Sequence, residues 1–272
     1  MNEDRSATGE SREVKVRRYQ DREASEGPDL VCVEEPLEIM INDEPYYMTM
    51  RLPGQDMFLA VGLCFSEGVI SSFADVQSVN HCVDSTNRIN VYLTPEHPRY
   101  GSPAKKRRTI AYASCGLCGK ELISDICTVV TRSDRTLTID LAQVLLMQHT
   151  LESKQPVFDA TGGTHVAGLF DGRGRLLASS EDVGRHNALD KVIGQVLFEG
   201  KGGEAKVVVL SSRLSYEMVQ KAAGLGVEIV AGASAPTSLA IELARELDIT
   251  LIGFLRPGRA NIYSAPERVT RG

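Results

Sequence analysis

The chain has 272 residues, 42% hydrophobic and 24% charged, with 24 Gly and 11 Pro, which is enough to bury a core without disulfide support and unlike a collagen, coiled-coil or disordered chain. Its formal net charge of −6 means that an anionic ligand must be held by a local basic patch, and it argues against a nucleic-acid partner. No apolar run reaches the roughly 18 residues of a membrane span, and the polar N-terminus is unlike a secretory signal, so the expected location is cytoplasmic with no membrane partner.

Residues 1–28 mix both charge signs with Ser and Gly and carry few large apolar side chains, so they are expected to form a disordered polar tail. From Leu30 the pattern turns period-two and β-branched through Val31, Val33, Leu37, Ile39 and Ile41. An Asn42-Asp43-Glu44 turn and the run Tyr46 to Leu52 complete a predicted hairpin,. A helix is expected over Met57 to Glu67, then strands near Val76 to Val83 and Ile89 to Leu93. Lys105, Lys106, Arg107 and Arg108 form a basic loop, read as a solvated charge run, and Thr109 to Ala113 is a strand candidate,.

Asp140 is a plausible N-cap for a helix carrying Leu141, Val144, Leu145, Gln148 and Leu151 at helical spacing,. After Pro156 strands and helices alternate. Strands are expected at Thr164 to Phe170, Leu176 to Ser179, Val207 to Leu210, Glu228 to Val230 and Thr250 to Ile252. Helices are expected at Ala188 to Leu197, Tyr216 to Ala223 and Leu239 to Glu246. That order predicts an α/β layered arrangement.

Of six cysteines, Cys32, Cys64, Cys82 and Cys127 stand singly in apolar or strand-like surroundings, whereas Cys115 and Cys118 form the one close pair,. That pair sits in Ser114-Cys115-Gly116-Leu117-Cys118-Gly119-Lys120. Gly116 and Gly119 free the backbone to turn amides toward a sulfur anion, and Lys120 adds a positive charge. Such settings lower a thiol pKa from about 8.5 toward roughly 3.5 to 7.5. Half of a structural zinc site is one alternative, although no second Cys pair exists to complete it. A dithiol redox module is the other, although the pair does not follow an early βαβ unit.

Two further stretches are dense in chemistry: Asp159-Ala160-Thr161-Gly162-Gly163-Thr164-His165 and Glu181-Asp182-Val183-Gly184-Arg185-His186-Asn187-Ala188-Leu189-Asp190-Lys191. Together with Ser114 to Lys120, with Ser211-Ser212-Arg213, with Ala231 to Thr237 and with Phe254 to Arg259, they resemble the FdhD/NarQ family of formate dehydrogenase accessory sulfurtransferases. The resemblance covers nearly the whole chain beyond the tail. It implies a sulfur carrier that accepts persulfide sulfur from a cysteine desulfurase and passes it to the bis-guanine-dinucleotide molybdenum cofactor (Mo-bisMGD) before the formate dehydrogenase apoenzyme receives it. It further implies a homodimer.

By that resemblance Cys115 carries the persulfide, and Cys118 either relays the sulfur or discharges it as a disulfide. The cofactor-binding segment corresponds to Phe254, Leu255, Arg256, Pro257, Gly258 and Arg259, where guanidinium forks suit diphosphate oxygens. His165, Arg185 and His186 complete the expected cofactor-binding set, and no permanent metal is expected. The fold so implied is α/β, a cytidine deaminase-like main lobe over 140–272 with a smaller mixed α+β lobe over 29–139 that ends in the Cys-x-x-Cys loop. Deaminase chemistry itself is not expected. Neither His186 nor His165 belongs to a His-x-Glu, and no Pro-Cys-x-x-Cys follows them,.

Overall fold

The computed structural model describes residues 9–83, 85–100, 132–134 and 136–271. The Cys115–Cys118 pair, Cys127, the Lys105–Arg108 run and the Thr109–Ala113 strand candidate lie outside the described residues.

The largest element is a six-stranded sheet in the order β13-β12-β11-β10-β8-β9. Its strands are β8 (His165–Phe170), β9 (Leu176–Asp182), β10 (Val207–Leu210), β11 (Ile229–Gly232), β12 (Thr250–Arg256) and β13 (Arg259–Ser264). β10, β11 and β12 run parallel, and β8, β9 and β13 add antiparallel neighbours. Val207-Val208-Val209-Leu210 is buried throughout because both faces of the sheet are covered. Val208 and Leu210 meet a core built with α4 (Arg185–Phe198), α5 (Tyr216–Gly224) and α6 (Ser238–Glu246). Val207 and Val209 meet Val144, Met147 and Leu151 of α2 (Leu141–Glu152) on the other side. Asp140 caps α2 as expected, accepting from the Ala142 amide at 2.9 Å.

A smaller four-stranded sheet has the order β4-β3-β6-β5, from β3 (Glu35–Ile41), β4 (Glu44–Arg51), β5 (Val76–Cys82) and β6 (Ser85–Leu93). Asn42 and Asp43 turn the β3–β4 hairpin at φ 49° and 68°, a conformation that Asn and Asp tolerate better than other L-residues. Both side chains also pin β6: Asn42 Oδ1 accepts from the Leu93 amide at 2.9 Å, and Asp43 Oδ1 accepts from Asn90 at 2.6 Å and Tyr92 at 2.7 Å. The apolar face packs on α1 (Asp56–Ser66).

The expected disordered tail is corrected over much of its length. Ser11–Gln20 (β1) and Glu23–Cys32 (β2) pair antiparallel through ten registered residues about an Asp21-Arg22 turn at φ 49° and 73°. Little of this arm is buried. It is held by the main-chain ladder and by cross-strand pairs Lys15–Glu26 at 2.8 Å and Arg18–Asp29 at 3.1 Å, which a criterion of apolar content overlooks,. β13 and the short helix α3 (Pro156–Thr161) were also not anticipated, nor was the short parallel pairing of β7 (Ile139–Asp140) with β14 (Val269–Thr270). No helix among the described residues is long and apolar enough to cross a membrane.

Helices α1 and α4 join the two sheets by crossing without side chains between them. A Cβ on Gly62 would lie 1.8 Å from the Asp190 carbonyl oxygen, and one on Gly194 would lie 1.9 Å from that of Phe58. Both obstacles are backbone, so a methyl group can be admitted only by moving a helix. Gly62→Ala and Gly194→Ala are each expected to cost about 1–3 kcal/mol or more in urea unfolding. Gly203→Ala, which meets nothing within 4 Å, is expected to stay within about 0.5 kcal/mol of the parent.

Candidate functional site

Several sequence-distant segments meet at the carboxyl ends of β10, β11 and β12, the place where α/β sheets generally present a ligand crevice. Backbone hydrogen bonds establish the assembly. Ser211 donates to the Val166 carbonyl at 3.1 Å, Leu214 to that of Ala235 at 3.1 Å, and Phe254 to that of Ser234 at 3.1 Å. Ser211 Oγ also accepts from the Val166 amide at 3.0 Å. His165 opens β8 opposite Asp182 of β9, and Arg185 begins α4 immediately after Gly184.

His165 lies within reach of the charges of Arg185 and Arg213. Burial pushes the His165 imidazole below its ordinary value, and the charges of Arg185 and Arg213 push it the same way,. Sequence reasoning quoted Ser211-Ser212-Arg213 without giving it a role. Its signal was available, since it follows the fully buried strand Val207–Leu210 at a strand-to-helix turn.

The Phe254–Arg259 segment turns sharply at the far side of the sheet. Phe254 sits at φ 52°, a strained backbone for an aromatic residue, within a bulge that shifts the register between Gly253↔Asn261 and Arg256↔Arg259,. Gly258 at φ 74° closes the turn. The Arg259 guanidinium stacks over the Phe254 ring at 5.4 Å from its centroid, and both Arg256 and Arg259 are exposed. Leu255 departs from the expected set. Its side chain is fully buried in the core under α2, so side-chain contacts with a ligand fall to its neighbours.

His186 is placed elsewhere. Its Nε2 is 2.6 Å from Glu217 Oε2, and it lines a cleft of about 460 Å³ with Tyr47, Thr49, Met50 and Lys221, among whose walls His165, Arg185 and Arg213 are absent. Consecutive residues Arg185 and His186 on a helix face different ways, and His186 turns to Glu217, whose carboxyl the Arg185 charge also reaches. The hydrogen bond from His186 holds the Glu217 carboxyl below its ordinary value.

The remaining polar residues of the 181–191 motif hold the scaffold together. Asp182 and Lys191 form a buried ion pair at 2.8 Å. Lys191 also donates to the carbonyls of Leu52 at 3.0 Å and Glu181 at 3.2 Å. Asp182 accepts from the amides of Leu52 at 3.2 Å and Gly184 at 2.9 Å and from Asn187 Nδ2 at 3.0 Å. Leu52 lies just past β4, so the pair ties the smaller sheet to the start of α4. Glu181 accepts from the first amides of α3, Val157 at 3.0 Å and Phe158 at 2.8 Å, and from Thr164 Oγ1 at 2.6 Å. It thereby positions the turn that leads into His165. Gly163 lets the base of the β1–β2 arm approach, since a Cβ there would lie 2.4 Å from Cys32 Sγ.

Cys115 and Cys118 lie outside the described residues, so the thiol centre is argued from sequence alone. Burial drives Cys64 up to about 12 and raises Cys32 as well, which disfavours the thiolate of each.

Replacing Lys191 by Met leaves the Asp182 carboxylate buried without its cation. A loss of about 3–5 kcal/mol is expected in urea unfolding, and the Asp182→Asn/Lys191→Met double variant is expected to recover part of it because no buried charge remains.

Comparison with known proteins gives a consistent result. The model of the FdhD/NarQ family matches residues 32–270. The sulfur carrier protein FdhD of Streptomyces avermitilis is 40% identical over 265 residues, covering 94% of each chain. That of Sulfolobus acidocaldarius is 37% identical over 259 residues, covering 95% of this chain and 98% of the other. A crystal structure from Desulfotalea psychrophila, of a protein assigned as a formate dehydrogenase accessory protein, superposes with TM-score 0.77 at 26% identity, covering 96% of this chain and 99% of that one.

Proposed function

Since the chain belongs to the FdhD/NarQ family, we propose that it is a sulfur carrier for formate dehydrogenase maturation, moving persulfide sulfur from a cysteine desulfurase to Mo-bisMGD through Cys115. The observation that carries the reading is the match along 239 consecutive positions, residues 32–270, which includes the Ser114–Gly119 motif. Relatives sharing about 40% of their residues with it over most of the chain are named sulfur carrier proteins.

The Cys115 thiolate attacks the outer sulfur of the donor persulfide. A new S–S bond forms on Cys115, the donor S–S bond breaks, and the donor cysteine leaves as a thiolate. The carried sulfur, released at the sulfane level as the Cys115 S–S bond breaks, then passes to a reduced molybdenum centre of the bound cofactor, which is cargo and supplies the two electrons that make it a sulfido ligand, and Cys115 returns to its thiolate. Cys118, three positions along the chain, either relays the sulfur or discharges it from Cys115 as a disulfide plus sulfide,.

The cofactor's guanine dinucleotides are assigned to the crevice. Exposed Arg256 and Arg259 at the β12–β13 turn suit diphosphate oxygens,. The strained Phe254, stacked by Arg259, offers an aromatic surface beside them. The strand order β9-β8-β10-β11-β12, covered by helices on both faces, supports a deaminase-like scaffold that keeps nucleotide binding without hydrolysis. A cytoplasmic homodimer is the accompanying expectation.

Incubation with a cysteine desulfurase and cysteine is expected to add the mass of one sulfur atom to Cys115, removable by thiol reductant. The Cys115→Ala variant is expected to show none of this gain, and equal sulfur uptake by that variant defeats the assignment. Stoichiometric zinc on Cys115 and Cys118 by elemental analysis would favour a metal-held interaction module instead. GDP, as a probe of the nucleotide half of the cofactor, is expected to bind Arg256→Ala about tenfold more weakly than the parent in calorimetric titration.

A further inference from the structure

We infer that the cleft between β4, α1, α4 and α5 is a docking socket for basic side chains, and that its occupant is this chain's own Lys105-Lys106-Arg107-Arg108 run. The inference concerns neither the Arg256–Arg259 turn nor the chemistry of Cys115. It replaces the expectation from sequence that the run is merely solvated.

Three observations support it. The first is the make-up of the cleft, whose volume is about 460 Å³. Met50 of β4, Leu63 of α1 and Val183 before α4 supply an apolar wall, and the half-buried Tyr47 stands with them. A lysine or arginine side chain has the matching composition, since its methylene stem covers apolar surface while its charged head seeks a carboxylate or an aromatic face.

The second is the sign of the charge. Glu34, Glu67, Asp190 and Glu217 line the cleft against Lys221 and His186, so four carboxylates face at most two cations. Both cations are already engaged, Lys221 with Asp190 at 2.5 Å and His186 with Glu217 at 2.6 Å. Tyr47 registers the excess. Its hydroxyl is held above its ordinary value by burial and, against the opposing effect of Lys221, by the charges of Glu67, Asp190 and Glu217,.

The third is where the chain leads. After β6 the Thr94 amide donates to the Asp75 carbonyl at 2.9 Å, and Phe73, two residues before Asp75, packs on the core that holds Leu63 and Cys64 of α1. The Tyr100 amide donates to the His97 carbonyl at 2.8 Å, and the charge of Arg99 reaches Cys64, as do those of Glu67 and Asp190. Lys105 follows five residues past Tyr100, about 17 Å of chain at full extension. The run it opens is the longest succession of cations in a chain of formal net charge −6. Connectivity therefore brings the most basic segment of the sequence to the neighbourhood of the acidic cleft.

Docking has a consequence for the thiol. Cys115 lies seven residues beyond Arg108, so the socket tethers the thiol within about 25 Å of the docked run. Ion pairs at such partly exposed sites are individually weak and screened by salt, so the hold is reversible.

The test is zero-length carbodiimide coupling of the full chain followed by peptide mass spectrometry, which joins a carboxylate to a lysine amine only where the two touch. The exposed Lys15–Glu26 pair, at 2.8 Å, is the internal control. Lys105 or Lys106 is expected to couple to Glu34, Glu67 or Glu217. Coupling at the control pair with none at the cleft overturns the proposal. Mixing isotope-labelled and unlabelled chains identifies the donor: adducts within one chain uphold the occupant, and adducts found only between chains overturn it in favour of a second copy. Limited trypsin digestion supplies a second measurement. In the Glu34→Gln/Glu67→Gln variant, cleavage within Lys105–Arg108 is expected to accelerate about three- to tenfold, with cleavage after Arg17 unchanged. Parental rates at the run, or an equal rise at Arg17, overturn the socket. Neither readout involves sulfur, so failure here leaves the loading of Cys115 as a separate question.

Discussion

The buried Asp182–Lys191 pair is the constraint on which the rest of the arrangement depends. Both groups are withdrawn from water, with side chains 0% and 1% exposed. Such a pair is tolerable only when every remaining donor and acceptor is also used. That condition is met by atoms from three places: the amide and carbonyl of Leu52 past β4, the carbonyl of Glu181 on β9, and Gly184 with Asn187 at the start of α4. The benefit of a satisfied buried pair is positional more than energetic. It sets where the smaller sheet meets the larger one and where α4 begins, and α4 begins with Arg185.

The close crossing of α1 and α4 works with that pair. Gly62 and Gly194 let two backbones touch, and around this contact Asp190 accepts from Ser66 at 2.7 Å and from Lys221 at 2.5 Å. Polar links thus surround an apolar crossing on the same helix that begins at the crevice. A substitution in this region therefore acts on the site through geometry, because Arg185 and His186 are carried by the helix that the clamp positions.

An acidic protein that binds a polyanion must concentrate its positive charge locally. Basic groups at the carboxyl end of the main sheet are segregated from the acidic ones. Arg185, Arg213 and the Arg256–Arg259 turn come from three separate segments, while Glu181, Asp182 and Asp190 are neutralised by amides or lysines. Burial also raises two of the described cysteines, Cys32 and Cys64, above their ordinary value.

Much of the fold was legible without coordinates, because hydrophobic period and capping are local properties. The β3–β4 hairpin, α1, α2 with its Asp140 cap and the alternation from β10 to β12 all follow from residues near one another in the chain. The motifs that single out Cys115, His165, Arg185 and the Phe254–Arg259 turn were equally visible. The order of the β1–β2 arm was not, because ladder hydrogen bonds and cross-strand ion pairs leave no compositional trace. Nor could sequence alone show that the charge of Arg213 reaches His165, that His186 turns to Glu217, or that Leu255 is sealed in the core. Each of these depends on which strands become neighbours and which face of a helix is covered. Local chemistry is written in the order of residues, whereas the meeting of distant charges is decided only when the sheets and helices close on one another.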